Sequence, residues 1–572
     1  MAAATIILIF FLLFLAAFAP TLTGAVETPS SSASSHSSAR YNGCSEIFVG
    51  AGWAGVYSFY RRIIDDERRA ARACLFEQSW RVGGRTYSVR VNHTEFVQDI
   101  GSYRFSPDMH LPGDLIMKDL QLPTECYQES CPSAKDDFPP PFIFNYTAPL
   151  RRIVDPRTNL PGGYATAMHR MIEIAKGLGA RVFTQTPLTK LEVSKSNAAI
   201  SSVEFEDLNS GEREQIVRPD ILILNLPRNK LFEVKGVEES LTRPVVDTLK
   251  CIVFDSPTDM FSHPLQTTGD TTMTKAYLYY KDAFWHTALN KTVGAWPPDN
   301  HFLARPTKEG VRFNIRWHDG PVACSAKQSC DGLLETYYSI SNETFYSSLS
   351  PSPDEPLGSI WDTDGSASVE KLTRAHAGLM DTLAPLLSQK DIDRTSLHLP
   401  SGLVVGVWQR PTLSSPLGKG YTAPTKVLYE PTMSGPPDQA CGVPGLSDAS
   451  YRNTALQPWG NKVPIFLVNN DWVCMNVRSF YGDWAEDSLL MAERAMLVLG
   501  MKKPPWLDTS YYNLKVVPLV SEEPMGLMTT PKSVQYVPSS VLWMVSGLFL
   551  IGCMIHRHVQ RIRISKDYTS LP

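Results

Sequence analysis

An apolar, β-branched run that breaks into glycines, Ile47-Phe48-Val49-Gly50-Ala51-Gly52-Trp53-Ala54-Gly55, constrains the fold of this chain more than any other feature. Such a run reads as a buried strand. Glycines at these three positions allow a tight turn, close approach of backbone to a phosphate, and tight packing of a helix on the strand. The helix that follows then offers its unpaired N–H groups to an anion. A second strand-like run, Ala73 to Phe76, leads into Glu77, 22 residues beyond Gly55, where a carboxylate can accept both hydroxyl protons of a ribose. Next comes Arg81-Val82-Gly83-Gly84-Arg85, and a second glycine pair with an arginine suits a dinucleotide better than a mononucleotide.

With 572 residues, 43% of them hydrophobic, the chain can bury more than one core, and a net charge of −4 argues against a nucleic-acid partner. Ile6 to Ala19 is apolar and ends near Thr23-Gly24-Ala25, so residues 1–25 read as a signal peptide and the Ser-rich residues 26–43 as a leader. Val537 to Ile555 is close to the length of about 20 apolar residues that a membrane-spanning helix needs. Arg557, Arg561, Arg563 and Lys566 follow it and place residues 556–572 in the cytosol, with the body of the protein lumenal or extracellular at the plasma membrane or in the endolysosomal system. Tyr568-Thr569-Ser570-Leu571 has the form of an adaptor-binding signal. Sequons at Asn92, Asn145, Asn290 and Asn342 agree with that topology. Of the ten cysteines, Cys553 lies in the anchor and Cys74 in a strand, leaving eight for disulfides; Cys126 with Cys131 and Cys324 with Cys330 are the expected local pairs. No cysteine or histidine spacing recommends a metal site.

The paired glycine motifs resemble those of the flavin amine oxidase superfamily, and the resemblance extends over most of residues 45 to 505. It implies FAD and an α/β fold: a Rossmann-like FAD-binding domain (44–105, 160–227 and 456–505) interleaved with an α+β substrate-binding domain on a mixed sheet (106–159 and 228–455). A membrane-proximal linker (506–536) and the C-terminal transmembrane helix follow. The residue patterns agree, with a helix over Ala165 to Leu178, strands at Arg181 to Thr184, Leu188 to Val193 and Ile221 to Leu226, and strands at Lys275 to Tyr280, Leu333 to Ile340 and Leu403 to Trp408. A helix over Ser368 to Leu386, a strand at Val463 to Val468 and a closing helix to Leu499 complete the pattern.

By the same resemblance FAD is held by Gly50, Gly52, Gly55, Glu77, Gly83, Gly84 and Arg85, by a backbone group at Leu188 against the adenine, and by Asp471 near the pyrophosphate. Lys275, followed at the family's spacing by Phe284-Trp285, matches the lysine that these oxidases place beside flavin N5 through a water. Gly420 stands where monoamine oxidases carry the cysteine that attaches the flavin, so non-covalent FAD is expected. Tyr421 and Trp484 would wall the amine's approach. Arg104, in Gly101-Ser102-Tyr103-Arg104, and Tyr337 match the carboxylate contacts of L-amino acid oxidases, a task for which a planar guanidinium is suited. Three departures stand out: Asn470-Asp471 and Asp487-Ser488 replace the family's usual closing motif, the interval from Arg104 to Pro161 is short, and Asp483 occupies a glycine position near the substrate carboxylate.

The reading these features support is a membrane-anchored, FAD-dependent oxidase of L-amino acids that yields imine, keto acid and ammonia and reduces O2 to H2O2. A primary amine or polyamine oxidase is the alternative within the class, and a non-catalytic flavin-fold receptor or adhesion ectodomain the alternative outside it.

Overall fold

The computed structural model describes residues 40–127, 150–194, 198–250, 272–297, 305–308, 310–325, 329–339, 344–350, 355–409, 453–469 and 485–517. The expectations for the signal peptide, for Cys131, Asn145, Asn342, Gly420, Tyr421, Asp471, Asp483 and Trp484, and for Val537 to Ile555 lie outside them. Among the described residues no helix is long and apolar enough to cross a membrane.

The first glycine motif folds as read. Strand β1 (Glu46–Val49) is buried at every position and passes through Gly50 and Gly52 into helix α1 (Trp53–Asp65). Strand β2 (Ala73–Phe76) lies parallel to β1, and helix α2 (Thr166–Gly177) buries Ala167, Met168, Met171, Ile172 and Ala175, a spacing that puts them on one stripe. Strand β3 (Arg181–Phe183) extends the sheet beside β2. The chain then makes a three-stranded antiparallel excursion, β4 (Leu188–Ser194), β5 (Ala199–Glu206) and β6 (Arg213–Val217), before β7 (Ile221–Leu224) returns on the other side of β1.

The chain next builds a second, seven-stranded sheet from β8 (Thr272–Tyr280), β9 (Cys330–Ser339), β10 (Leu357–Trp361) and β11 (Gly402–Gln409), with short strands Ala295–Trp296, Ile315–Arg316 and Val322–Cys324 at one side. Helix α3 (Ser366–Gln389) covers one face of this sheet. Strand β12 (Ile465–Leu467) then completes the first sheet, in the order β12-β7-β1-β2-β3 with every pair parallel, and helix α4 (Ala485–Val498) packs on α1. Parallel neighbours require crossovers, and the whole second sheet serves as the crossover between β7 and β12.

Three expectations are corrected. Among the described residues the second sheet is antiparallel at every pair, not mixed: even β10 and β11, which the long helix α3 joins, run antiparallel, because the chain after α3 re-enters the sheet from the end where β10 left it. The described residues of 106–159 do not join the second sheet's core: Met109, Leu111, Leu115, Ile116, Leu120 and Ile153 pack in one apolar core with β1, α1 and α4. Cys74 is not a free strand cysteine but bonds Cys44, tying β2 to the residues that enter β1. Cys324 pairs with Cys330 as expected, and Cys126 is also disulfide-bonded.

The Cys44–Cys74 bond closes a 30-residue interval around α1. Loop-closure entropy for that length is worth about 3–4 kcal/mol. The double substitution Cys44→Ala, Cys74→Ala is expected to lower the free energy of chemical unfolding by roughly that amount; a loss within error of zero would show that the paired strands alone fix this region.

Candidate functional site

The glycine cradle is assembled from both motifs. Gly50 has φ +89, and a side chain there would overlap the Asn225 carbonyl; one at Gly55 would overlap the Gly50 carbonyl, which is why helix and strand can meet this closely. Gly52 differs. A Cβ there would meet only the Asn225 amide nitrogen, at 3.0 Å, so its backbone is open in front of the α1 N-terminus. That terminus has no side-chain cap and no acidic residue in its first turn, so the helix's own residues leave its partial positive charge uncompensated. Gly83 donates its N–H to the Ala51 carbonyl at 2.7 Å, and Gly84, at φ +55, lies against Gly52, so the second glycine pair backs directly onto the first loop. Arg85 follows, half-buried.

Glu77 closes the cradle. Its Oε2 accepts the Ala51 N–H at 2.6 Å and its Oε1 accepts the Ser79 N–H and hydroxyl at 2.8 Å each. Its carbonyl accepts the Thr186 N–H at 2.8 Å, and Leu188 opens β4 two residues later. Glu77 and the two glycine loops that sequence spacing linked are therefore contiguous in space.

From Arg85 the path leads straight to the second sheet. The Arg85 carbonyl accepts the Ser102 N–H at 3.2 Å, and a side chain on Gly101 would overlap that carbonyl. Lys275, completely buried near the middle of β8, donates from Nζ to the Gly101 carbonyl at 2.6 Å and lies 3.3 Å from the centre of the Tyr103 ring. Burial pushes the Lys275 pKa down to about 7, against the pull of Glu335 and Asp99 and with the help of Arg104 and Arg316. Asp99, buried on the same segment, is raised to about 6 by burial although it accepts from the Ser88 hydroxyl and the Tyr164 N–H. Arg104 is buried with its guanidinium over the rings of Tyr103, at 4.8 Å, and Tyr127, at 4.9 Å.

Lys275 and Arg104 thus meet, but Tyr337 does not join them. Along β8, Lys275 and Tyr277 point to the side facing Asp99 and Gly101, while Ala276 and Leu278 point to the core under α3. On β9 the register jumps from Ala276↔Tyr337 to Tyr277↔Glu335, a one-residue bulge at Thr336. The bulge puts Glu335 and Tyr338 on the Lys275 face and turns Tyr337 into the opposite core, where its ring packs on Tyr346 at 4.8 Å. Tyr338 takes the expected place, 5.2 Å from Lys275 Nζ and 4.9 Å from the Arg316 guanidinium, ring centre to charge.

Sequence reading also passed over Asp99, Arg316, His318, Asp319 and Glu335, which share this face. The available signal was a charged residue inside an apolar strand, as Glu335 is in Leu333-Leu334-Glu335. Among the described residues, the grouping of His286 with Cys324 and Cys330 has both sulfurs committed to a disulfide and so offers no thiolate.

No protein-family model and no characterised protein sequence matches this chain. Among solved structures, wild-type putrescine oxidase bound to putrescine is similar at 13% identity, over 80% of this chain and 99% of that chain, with a TM-score of 0.41. A redesigned double mutant of putrescine oxidase, at 13% identity, and a triple mutant, at 14%, have the same coverage and TM-scores of 0.42.

Helix α4 begins with two buried acids, Glu486 and Asp487. Glu486 accepts the Leu111 N–H at 3.1 Å, and burial raises its pKa from 4.5 to about 8. An acid whose folded pKa is raised stabilises the fold below its unfolded pKa and loses that contribution as pH rises through the folded value. Between pH 5 and pH 8.5 the wild type is therefore expected to lose stability relative to Glu486→Gln, which retains an acceptor for Leu111. Parallel pH profiles of melting temperature for the two proteins would refute this.

Proposed function

We propose that this chain is a membrane-anchored, FAD-dependent oxidase of L-amino acids, producing keto acid and ammonia by way of the imine, with reduction of O2 to H2O2. The observation that carries the reading is the continuity of one backbone path, from the open glycine cradle through Arg85 to Gly101, which ends between a buried lysine and a buried arginine.

The residues present fit FAD. The uncapped α1 terminus and the open backbone at Gly52 suit a pyrophosphate, with Gly50, Gly55, Gly83, Gly84 and Arg85 shaping the cradle, and Glu77 offers its carboxylate to a ribose. Leu188 and Asp471 would complete the set. When bound, FAD supplies the acceptor for a hydride equivalent and its reoxidation by oxygen. The protein supplies position and charge. Lys275, with a pKa near 7, can give or take a proton at Nζ at neutral pH, and Arg104 presents parallel N–H groups to a carboxylate. Tyr421 and Trp484 would orient the amine. A second reading, oxidation of primary amines or polyamines, is favoured by Asp483, an anion beside Trp484 in sequence that would attract an ammonium.

The purified protein is expected to be yellow, to bleach when an L-amino-acid mixture is added without oxygen, and to release its flavin on acid precipitation because Gly420 cannot attach it. Arg104→Met should raise the half-saturating amino-acid concentration by about tenfold or more, the equivalent of one charge-assisted hydrogen bond, while sparing the decarboxylated amines. Colourless protein would end the oxidase reading. Bleaching by amines in preference to amino acids would replace it with the second one.

The Cys44–Cys74 and Cys324–Cys330 disulfides and the disulfide-bonded Cys126, with exposed sequons at Asn92 and Asn290, support an oxidising compartment for the body of the protein. Protease added to sealed vesicles is expected to remove only the tail beyond Ile555; digestion of the body would reverse the topology.

A further inference from the structure

Beside Lys275 and Arg104 lies a set of buried polar atoms to which the proposed reaction assigns no work. Asp319 follows the short strand Ile315–Arg316, and its side chain is completely buried. Among the described residues no N–H or hydroxyl is hydrogen-bonded to either of its carboxyl oxygens, nor to Oε2 of the equally buried Glu335. The hydroxyls of Tyr103 and Tyr127 are in the same condition. Glu335 Oε1 alone is satisfied, by the Tyr277 hydroxyl at 2.9 Å.

The charged neighbours do not meet this demand. Arg316 is 3.7 Å from Asp319 and 3.8 Å from Glu335, outside hydrogen-bonding distance of both. His318 is held neutral by burial, with Arg104, Arg316 and Arg152 around it; its Nδ1 accepts the Gly294 N–H, so its proton is on Nε2, which at 3.5 Å from Asp319 makes no hydrogen bond to it. Asp319 and Glu335 lie within hydrogen-bonding reach of one another, and burial with their mutual repulsion favours the protonated form of Asp319, so the only donor the pair has of its own is a proton held between the two carboxyls. Buried polar groups are normally satisfied, and two carboxylates can only accept, so the pair can ionise together only when a donor from outside it is supplied.

The kind of donor follows from the surroundings. Two carboxyl groups ask for a cation with several N–H groups, which an ammonium or a guanidinium provides and a neutral alkyl chain does not. Tyr103 and Tyr127 lie 5.6 Å apart, and Tyr103 lies 6.4 Å from Tyr338, giving aromatic surface for an alkyl stem and for a cation. Arg104 stands over the first two of these rings and is near enough to Asp319 to favour its ionised form. A carboxylate grip and an acid pair therefore share one aromatic wall.

We propose that Asp319 and Glu335 form a subsite for a cationic group at the far end of the substrate, so that the preferred substrates are dibasic L-amino acids carrying an ammonium or guanidinium side chain. The substrate assignment rests on the oxidase reading above; the subsite itself does not.

L-lysine and L-norleucine differ by the terminal amine. In the flavin-loaded wild type, kcat/KM for L-lysine is expected to exceed that for L-norleucine by at least about tenfold, and the ratio to fall by at least about tenfold in Asp319→Asn and in Glu335→Gln. A loss of folding or flavin would lower both rates and leave the ratio unchanged. Calorimetric titration with 6-aminohexanoate and hexanoate tests the subsite without turnover, and the amino compound should bind at least about tenfold more tightly to the wild type. Oxidation of both amino acids at a ratio near one, with equal binding of the two acids, would overturn the subsite and leave the oxidase reading standing. Tighter binding of 6-aminohexanoate that Asp319→Asn abolishes, in a protein that oxidises no amino acid, would uphold the subsite and overturn the oxidase reading.

Discussion

The structure depends on one stretch of backbone, Asp99 to Arg104, clamped between the parallel sheet's glycine cradle and the face of the antiparallel sheet. Ile100 donates its N–H to the Tyr87 carbonyl at 3.0 Å and accepts from the Trp408 indole at 2.7 Å; Gly101 accepts from Lys275; Ser102 donates to Arg85. The approach is possible only because glycines face it from both sides. A Cβ on Gly406 would come within 2.6 Å of Ile100, and one on Gly101 within 3.0 Å of the Trp408 ring. Backbone groups buried this deeply must be paired, and here the pairing itself joins the two sheets.

That clamp gathers ionisable groups where water would otherwise compete for them. Lys275, Arg104 and Arg316 stand opposite Asp99, Asp319 and Glu335, every one of them almost completely buried. Interactions among them are stronger than at the surface, and each depends on the others for its charge state. The pKa values of Lys275, at about 7, and of Asp99, at about 6, are consequences of that environment rather than of either residue alone. Tyrosine rings fill the space between the charges, so the cations have π faces as well as carboxylates for company.

The parallel sheet supports this arrangement from behind. Its central strand β1 has neighbours on both sides, the Cys44–Cys74 bond fixes the approach to β1 against β2, and Glu46 receives Arg62 at 3.0 Å and Arg69 at 2.8 Å. Glu493 on α4 receives Arg61 from α1 at 3.1 Å. These pairs hold helices to strands at the end of the sheet or along its face, and Glu77, on the Ala51 N–H, is the acid that stands beside the α1 N-terminus.

The sequence by itself determined the cradle, because the contacts that shape its two glycine loops are local: glycines set turns within a few residues, and Glu77 closes onto Ala51 across a single strand-helix-strand unit, although Asn225 and Thr186 reach it from far along the chain. Elements with an unbroken hydrophobic period, such as β7, β8, β11 and α3, were equally legible. Spacing to Phe284-Trp285 singles out Lys275 and the place after Gly101 singles out Arg104, and the structure buries both beside the Tyr103 ring. Tertiary structure alone decided the rest of the site. The bulge at Thr336 reverses which β9 residues face Lys275, and alternation read along the chain cannot see an extra residue that only the partner strand reveals. Asp319 and Glu335 are distant in sequence and meet only because a short strand, Ile315–Arg316, lies beside β9. Cys44 reaches Cys74 for the same reason: strand pairing set their separation, and no spacing rule along the chain encodes it.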